Sequence, residues 1–357
     1  MSRCLELKIW TNFIGNVFME DQEENEKTKK YENENTENSE EIREVLAQLR
    51  EKIENAAEIL QKNNEESEAF KKRLNELWKD PFDLLELFLM LSTEAGAKFN
   101  RENRPIASEQ NDYVFEALTR LHAKACLIGQ EIITLMRNGY AAGAFARWRS
   151  LHEIAVISLF INKHGNSTAE RYLCYDVIES YRALRDYIDH PDLYKRHSEI
   201  LGYVPYPYDE ITKIEDLRNK LCNQFDNIGK NYGWAAEALG DKSPDFHKIE
   251  KDVGLDHLRS FYNMSNHSIH AGPKGTFFNM GLSDQVEGHV LLAGPSNFGM
   301  ADPGSCMTIS LNQVNAALLT TNPNVKTLVF MEAMKYLIDE INRQLIEIHE
   351  SFDDNKR

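Results

Sequence analysis

No glycine-rich phosphate loop, no paired zinc-binding cysteine framework and no nucleophile elbow occurs in this 357-residue sequence, so the short motifs that usually announce a reaction are missing. The five cysteines, Cys4, Cys126, Cys174, Cys222 and Cys306, are odd in number and far apart, with no Cys-x-x-Cys pair. That spacing excludes a disulfide framework and reads as buried thiols of a reducing cytoplasm. Long apolar runs are also lacking. The longest, "AVISLFI" at 155–161 and "LLELFLML" at 84–91, fall well short of the roughly 20 residues needed to cross a bilayer, so no membrane span is expected. The first 19 residues carry Glu6 and Lys8 and have no small-residue cleavage site, which argues for a short ordered segment rather than a secretory signal. Positive charge is scarce: the formal net charge of -16 excludes a surface coated with phosphate-binding groups, although a local basic pocket remains compatible with it.

What is present is helical periodicity. Residues 1–40 hold the N-terminal segment and then an acidic stretch at 20–40, almost without apolar side chains, which predicts a disordered linker. Residues 41–105 read as a helical arm. In it Ile42, Val45, Leu46, Leu49, Ile53, Ala56, Ala57 and Leu60, then Phe70, Leu74 and Leu77, form a narrow stripe. Such a stripe suits a protein partner or a homodimer through residues 41–78, or simply a helix laid on the main body. Residues 106–352 read as a bundle domain, so the expected class is all-α, a multi-helix bundle. Helices are predicted from about 109 to 137, from 140 to Gly165, from Ser167 to Asp189, and at 308–321 and 325–351, with shorter ones between 209 and 270. The Gly, Pro, Ser and Asn content of 276–303 predicts a short irregular or β-hairpin-like insertion.

Two polar clusters interrupt the apolar pattern. In "FARWRSLHE" (145–153), Arg149, His152 and Glu153 share one helix face while Arg147 lies to its side. A guanidinium in an apolar helix costs several kcal/mol unless paired, so a partner from another segment is expected. The second cluster, "NMSNHSIHAGPKG" (263–275), supplies the candidates. A helix through this stretch puts Arg259, Tyr262 or Asn263, Asn266 and His270 near one face, with His267 beside it. Gly272, Pro273 and Gly275 would then bring backbone amides and Lys274 towards an anion. Histidine exchanges protons near neutral pH and arginine grips phosphate in a bidentate way. His152, His270 and Arg149 are therefore candidate catalytic residues, and Arg147, Glu153, Asn266, His267 and Lys274 candidate binding residues, for RNA or a nucleotide. The competing reading is an Arg-Glu-His network that only braces the bundle. His267 and His270 lack an evident third ligand, so neither a metal nor a cofactor is expected. Tyr172, Tyr175, Tyr181 and Trp234 read as packing between helices, with a base-stacking platform as the alternative.

The segments "GYAAGAFARWRSLHEIAVISLFI", "ERYLCYDVIESYRAL" and "FYNMSNHSIHAGPKG" together resemble a bacterial family catalogued as domain of unknown function 5677, over roughly residues 110–350. Arg149 and Glu153 match its Arg-x-x-x-Glu pattern, and Ser265 and His270 its Ser-x-x-x-x-His pattern. The resemblance implies an all-helical fold and no established activity. More loosely, Arg147 and His152 resemble the Arg-to-His spacing of higher-eukaryote and prokaryote nucleotide-binding (HEPN-like) helical domains, although Trp148 stands where a polar residue is common. That resemblance implies RNA binding and metal-independent ribonuclease activity in a defence or toxin setting. A neighbouring hydroxyl would attack, with His152 or His270 as acid or base and Arg149 steadying the phosphate charge.

Overall fold

The computed structural model describes residues 42–202, 208–277, 280–282 and 291–354. The expected N-terminal segment and acidic linker, residues 203–207 and part of the expected hairpin-like insertion lie outside these residues. Among the described residues every regular element is helical and none is a strand: the fold is all-α.

Contacts divide the chain into two units, Met1–Ala69 and Phe70–Arg357. In the first, residues 42–54 are helical; after a turn at Asn55 the next helix, α1 (Ala56–Leu77), begins and runs on past Ala69. The apolar stripe is exposed over residues 42–60, from Leu49 at 41% to Ile53 at 65%, and is buried at Leu74.

The second unit is built on α2 (Lys79–Gln110), α3 (Tyr113–Arg137), α4 (Ala141–His164), α5 (Asn166–Asp189), α6 (Pro191–Leu201) and α7 (Tyr208–Gln224). Short helices follow: α8 (Ala236–Leu239), α9 (Phe246–Asp252), α10 (Arg259–Ser265) and α11 (Pro273–Phe277). Two long ones close it, α12 (Ala301–Leu319) and α13 (Val325–Asp354). The sequence of α4 is apolar on nearly every side, and accordingly it is the central helix, packed on both α3 and α12. Ala141 and Ala144 let those neighbours come close, while Phe145 and Trp148 stack at 5.2 Å in full burial. The Trp148 indole N–H donates to Ser310 Oγ at 2.9 Å, which satisfies the one polar atom of that side chain. Truncating such an aromatic costs roughly 3–5 kcal/mol.

Three boundaries differ from the periodicity. The residues after Pro81 do not belong to an arm, because Phe82, Leu85, Phe88 and Leu89 are buried in the core of the second unit. Their helix also runs straight through Pro105 to Gln110. Pro105 is exposed, so the hydrogen bond it cannot make leaves a carbonyl free to meet water. The following helix therefore starts at 113 rather than 109. Ser108 lies inside the previous helix, Asn111 ends that helix at φ 51°, and Asp112 caps the new one by accepting from the Phe115 amide at 2.9 Å. Likewise α12 starts at 301, not 308. Pro303 falls in the first turn, where its missing N–H costs nothing, and a Cβ on Gly304 would come within 2.8 Å of Leu345.

Candidate functional site

The two polar clusters meet. Helix α10 and the 3-10 turn Asn266–Ser268 both pack on α4, which brings Tyr262 against Arg149 and Glu153. Arg149 Nη2 donates to the Tyr262 hydroxyl at 2.5 Å, that hydroxyl donates to Glu153 Oε1 at 2.6 Å, and Arg149 and Glu153 pair at 3.2 Å. The guanidinium also lies over the Tyr262 ring, 4.6 Å from its centre. Burial, and then the hydrogen bond to Glu153, raise the Tyr262 pKa, so the phenol keeps the proton it donates. Arg149 Nε is buried without a partner.

One turn along, His152 is sealed. Its Nε2 lies 2.8 Å from Glu250 Oε1, and both side chains are 0% exposed. Glu250 stands on α9, whose N-terminus is capped by Asp245, accepting from the Lys248 amide. Arg259 Nη1 donates to the other Glu250 oxygen at 3.1 Å, and His247 Nδ1 is 3.5 Å from it. Burial lowers the His152 pKa despite Glu250. His152 Nδ1 has no partner, so a second proton there would be buried and unsatisfied. The neutral ring with Nε2–H donating to Glu250 is the state this geometry favours.

The remaining candidates are placed differently. Arg147 is tied to Glu131 on α3 and donates to Ser150 Oγ at 3.2 Å. Asn266 is half-buried with its Oδ1 unpartnered. His267 is half-buried, and its backbone carbonyl lies against Gly275. A Cβ on Gly275 would lie 2.0 Å from that carbonyl. His270 is exposed, and among the described residues its ring bonds neither to Arg149 nor to His152. Lys274 is exposed on α11, which packs on the 266–268 turn. Among the described residues no group of three or more His, Cys, Asp or Glu side chains is placed to hold a metal ion.

A cleft of about 1050 Å³ opens beside this network, and Glu153 and Arg147 line it. Helices α3 and α4 contribute Glu116, Arg120, Lys124, Arg147, Ser150 and Glu153; α5 contributes Tyr172, Tyr175, Asp176, Glu179 and Arg182; the 231–246 segment adds Tyr232, Trp234 and Phe246. Tyr172 meets Trp234 edge-on at 5.1 Å, and burial pushes its pKa up to about 12. Arg182 donates to the Tyr175 hydroxyl at 2.7 Å and to the Gly229 carbonyl at 2.9 Å. Three of the four aromatics singled out in the sequence thus both pack between helices and face one cavity; Tyr181 does not line it. Glu250, Glu131, Arg182 and Tyr232 carry no motif that marks them. The one legible signal was the Asp245 cap, which announces α9 but not its buried carboxyl.

Residues 115–287 match the model of a family of unknown function, DUF5677, within the span where the resemblance was expected. No curated protein and no solved structure matches the chain.

Proposed function

We propose that the segment this chain shares with the DUF5677 family is a binding module for a nucleotide or an RNA end, and that its Arg-Glu-His network braces the cleft wall instead of cutting the ligand. The composition of the cleft supports this reading. Arg120, Lys124 and Arg147, from α3 and α4, offer cations to a phosphate. Tyr172, Tyr175 and Trp234 offer apolar faces to a base. Asp176 and Glu179, exposed on α5, accept from ribose hydroxyls or exocyclic amines. The volume is of the size that takes a small molecule.

Cleavage fits the geometry less well. A general acid or base must reach the reacting oxygen, and His152 is fully buried against Glu250 while His270 bonds to no member of the network. Calorimetric titration with a nucleoside monophosphate and with a 5′-phosphorylated diribonucleotide tests the proposal. Binding is expected to weaken with salt, and about tenfold in Lys124→Ala, the loss of one charge-assisted hydrogen bond. Absence of binding to both ligands would overturn it. RNA hydrolysis abolished by His270→Ala would replace it with the catalytic reading.

A further inference from the structure

We infer that the exposed stripe on residues 42–60 is a recognition seam for an acidic amphipathic helix from another protein, and not a self-dimer contact. Its apolar side chains follow a 4-3 alternation. In the sequence Leu46, Ile53 and Leu60 fall on one core position of a heptad and Ile42, Leu49 and Ala56 on the other, a spacing kept across the turn at Asn55. Five of the six are more than two-fifths exposed, and the whole seam lies within the unit that ends at Ala69.

The positions bordering such a seam set partner choice, because they face the flanks of the opposing helix. Here they hold Arg43 and Arg50 on one side and Val45, Lys52 and Ile59 on the other, with no carboxyl among them. The acids Glu44, Glu51, Glu54 and Glu58 all point to outer heptad positions, away from the seam. Over this stretch a second copy, parallel or antiparallel, therefore gains no opposite-charge pair. Three heptads of apolar contact make a marginal association by themselves, so the flanking charges decide it. A partner with Glu or Asp at its flanking positions gains an ion pair with each arginine. The acidic outer face and narrow seam also argue against an anionic bilayer, which selects a wide apolar face backed by basic residues.

The test uses the full-length chain and two labelled three-heptad peptides that share a Leu/Ile seam, one with Glu and one with Lys at the flanking positions. By fluorescence anisotropy the Glu peptide is expected to bind at least about tenfold more tightly than the Lys peptide, with the difference shrinking at high salt. Arg43→Glu with Arg50→Glu should invert the preference while leaving the melting temperature of the chain unchanged. Equal binding of both peptides, or of neither, overturns the inference. So does a dimeric mass by light scattering that Leu49→Asp converts to monomer, or capture of the chain by phosphatidylserine vesicles that the double variant abolishes.

Discussion

His122 and His152 are both buried histidines in adjacent helices of one bundle, and both have pKa values lowered by burial. They do opposite things. His122 sits in a neutral, closed set: its Nε2 bonds Asn315 Oδ1 at 2.9 Å, its Nδ1 lies 3.7 Å from Cys126 Sγ, and Asn315 Nδ2 donates to Ser92 Oγ at 2.9 Å. Its ring fills the space above Gly96, where a Cβ would come within 2.2 Å. His152 sits among charges, with one nitrogen unpartnered, and its neighbour on the helix, Glu153, reaches the cleft. A satisfied neutral network specifies packing. A charged network with loose ends beside a cavity is where binding is to be sought.

The contrast can be broken most sharply at Glu250. Glu250→Ala strips the shared acceptor from His152 and Arg259, and should cost about 3 kcal/mol in urea denaturation, because two donors lose their buried acceptor at about 1–3 kcal/mol each. A loss below about 1 kcal/mol would mean that water already serves these groups. Next comes Asn315→Ala, which leaves His122 and Ser92 unsatisfied. About 1–3 kcal/mol of destabilisation is expected, with no change in nucleotide affinity, since the network does not touch the cleft. A change in affinity would join the two regions that the comparison separates.

The third test is pH. A histidine whose folded pKa lies below its unfolded value binds fewer protons in the fold, so its contribution to stability is present above about pH 6.5 and lost as pH falls below it. Chemical denaturation between about pH 7 and pH 5 should show stability falling for the parent chain. His122→Gln and His152→Gln should each flatten that slope, and a slope unchanged in both would remove burial as the cause. Smaller again is Tyr262→Phe, which deletes the hydroxyl between Arg149 and Glu153. Roughly 1 kcal/mol of stability should go, and differential scanning calorimetry would register it. His270→Ala should be smallest, within about 0.5 kcal/mol, as for an exposed side chain without partners.

The sequence carried the helical class, the paired face of Arg149 and Glu153, and the need for a partner from the face running from Arg259 to His270, because each depends on local periodicity or on the cost of an unpaired charge. Periodicity does not project His270 reliably, for a definite reason. Extending the α-helical period from Arg259 puts His270 on the same face, but the chain tightens into a 3-10 turn at Asn266–Ser268. Each residue there advances about 120° instead of 100°, so the three residues shift the projected face by about 60°. Glu250 was illegible for a different reason: its burial follows from tertiary contact with a residue 98 positions away, and a Glu on a short polar helix looks like any solvated one. The starts expected at 109 and 308 both fall inside helices, because an exposed Pro105 is carried within one and Pro303 opens the other.

The fit of the His122 ring into the notch at Gly96 has a mechanical side. A groove one methyl deep on α2 receives a rigid planar key from α3, so these helices cannot slide along each other by even one residue without driving the imidazole into a side chain. The interface is thereby indexed, much as a dowel indexes two plates, and whatever bends or loads one of these helices must carry the other with it.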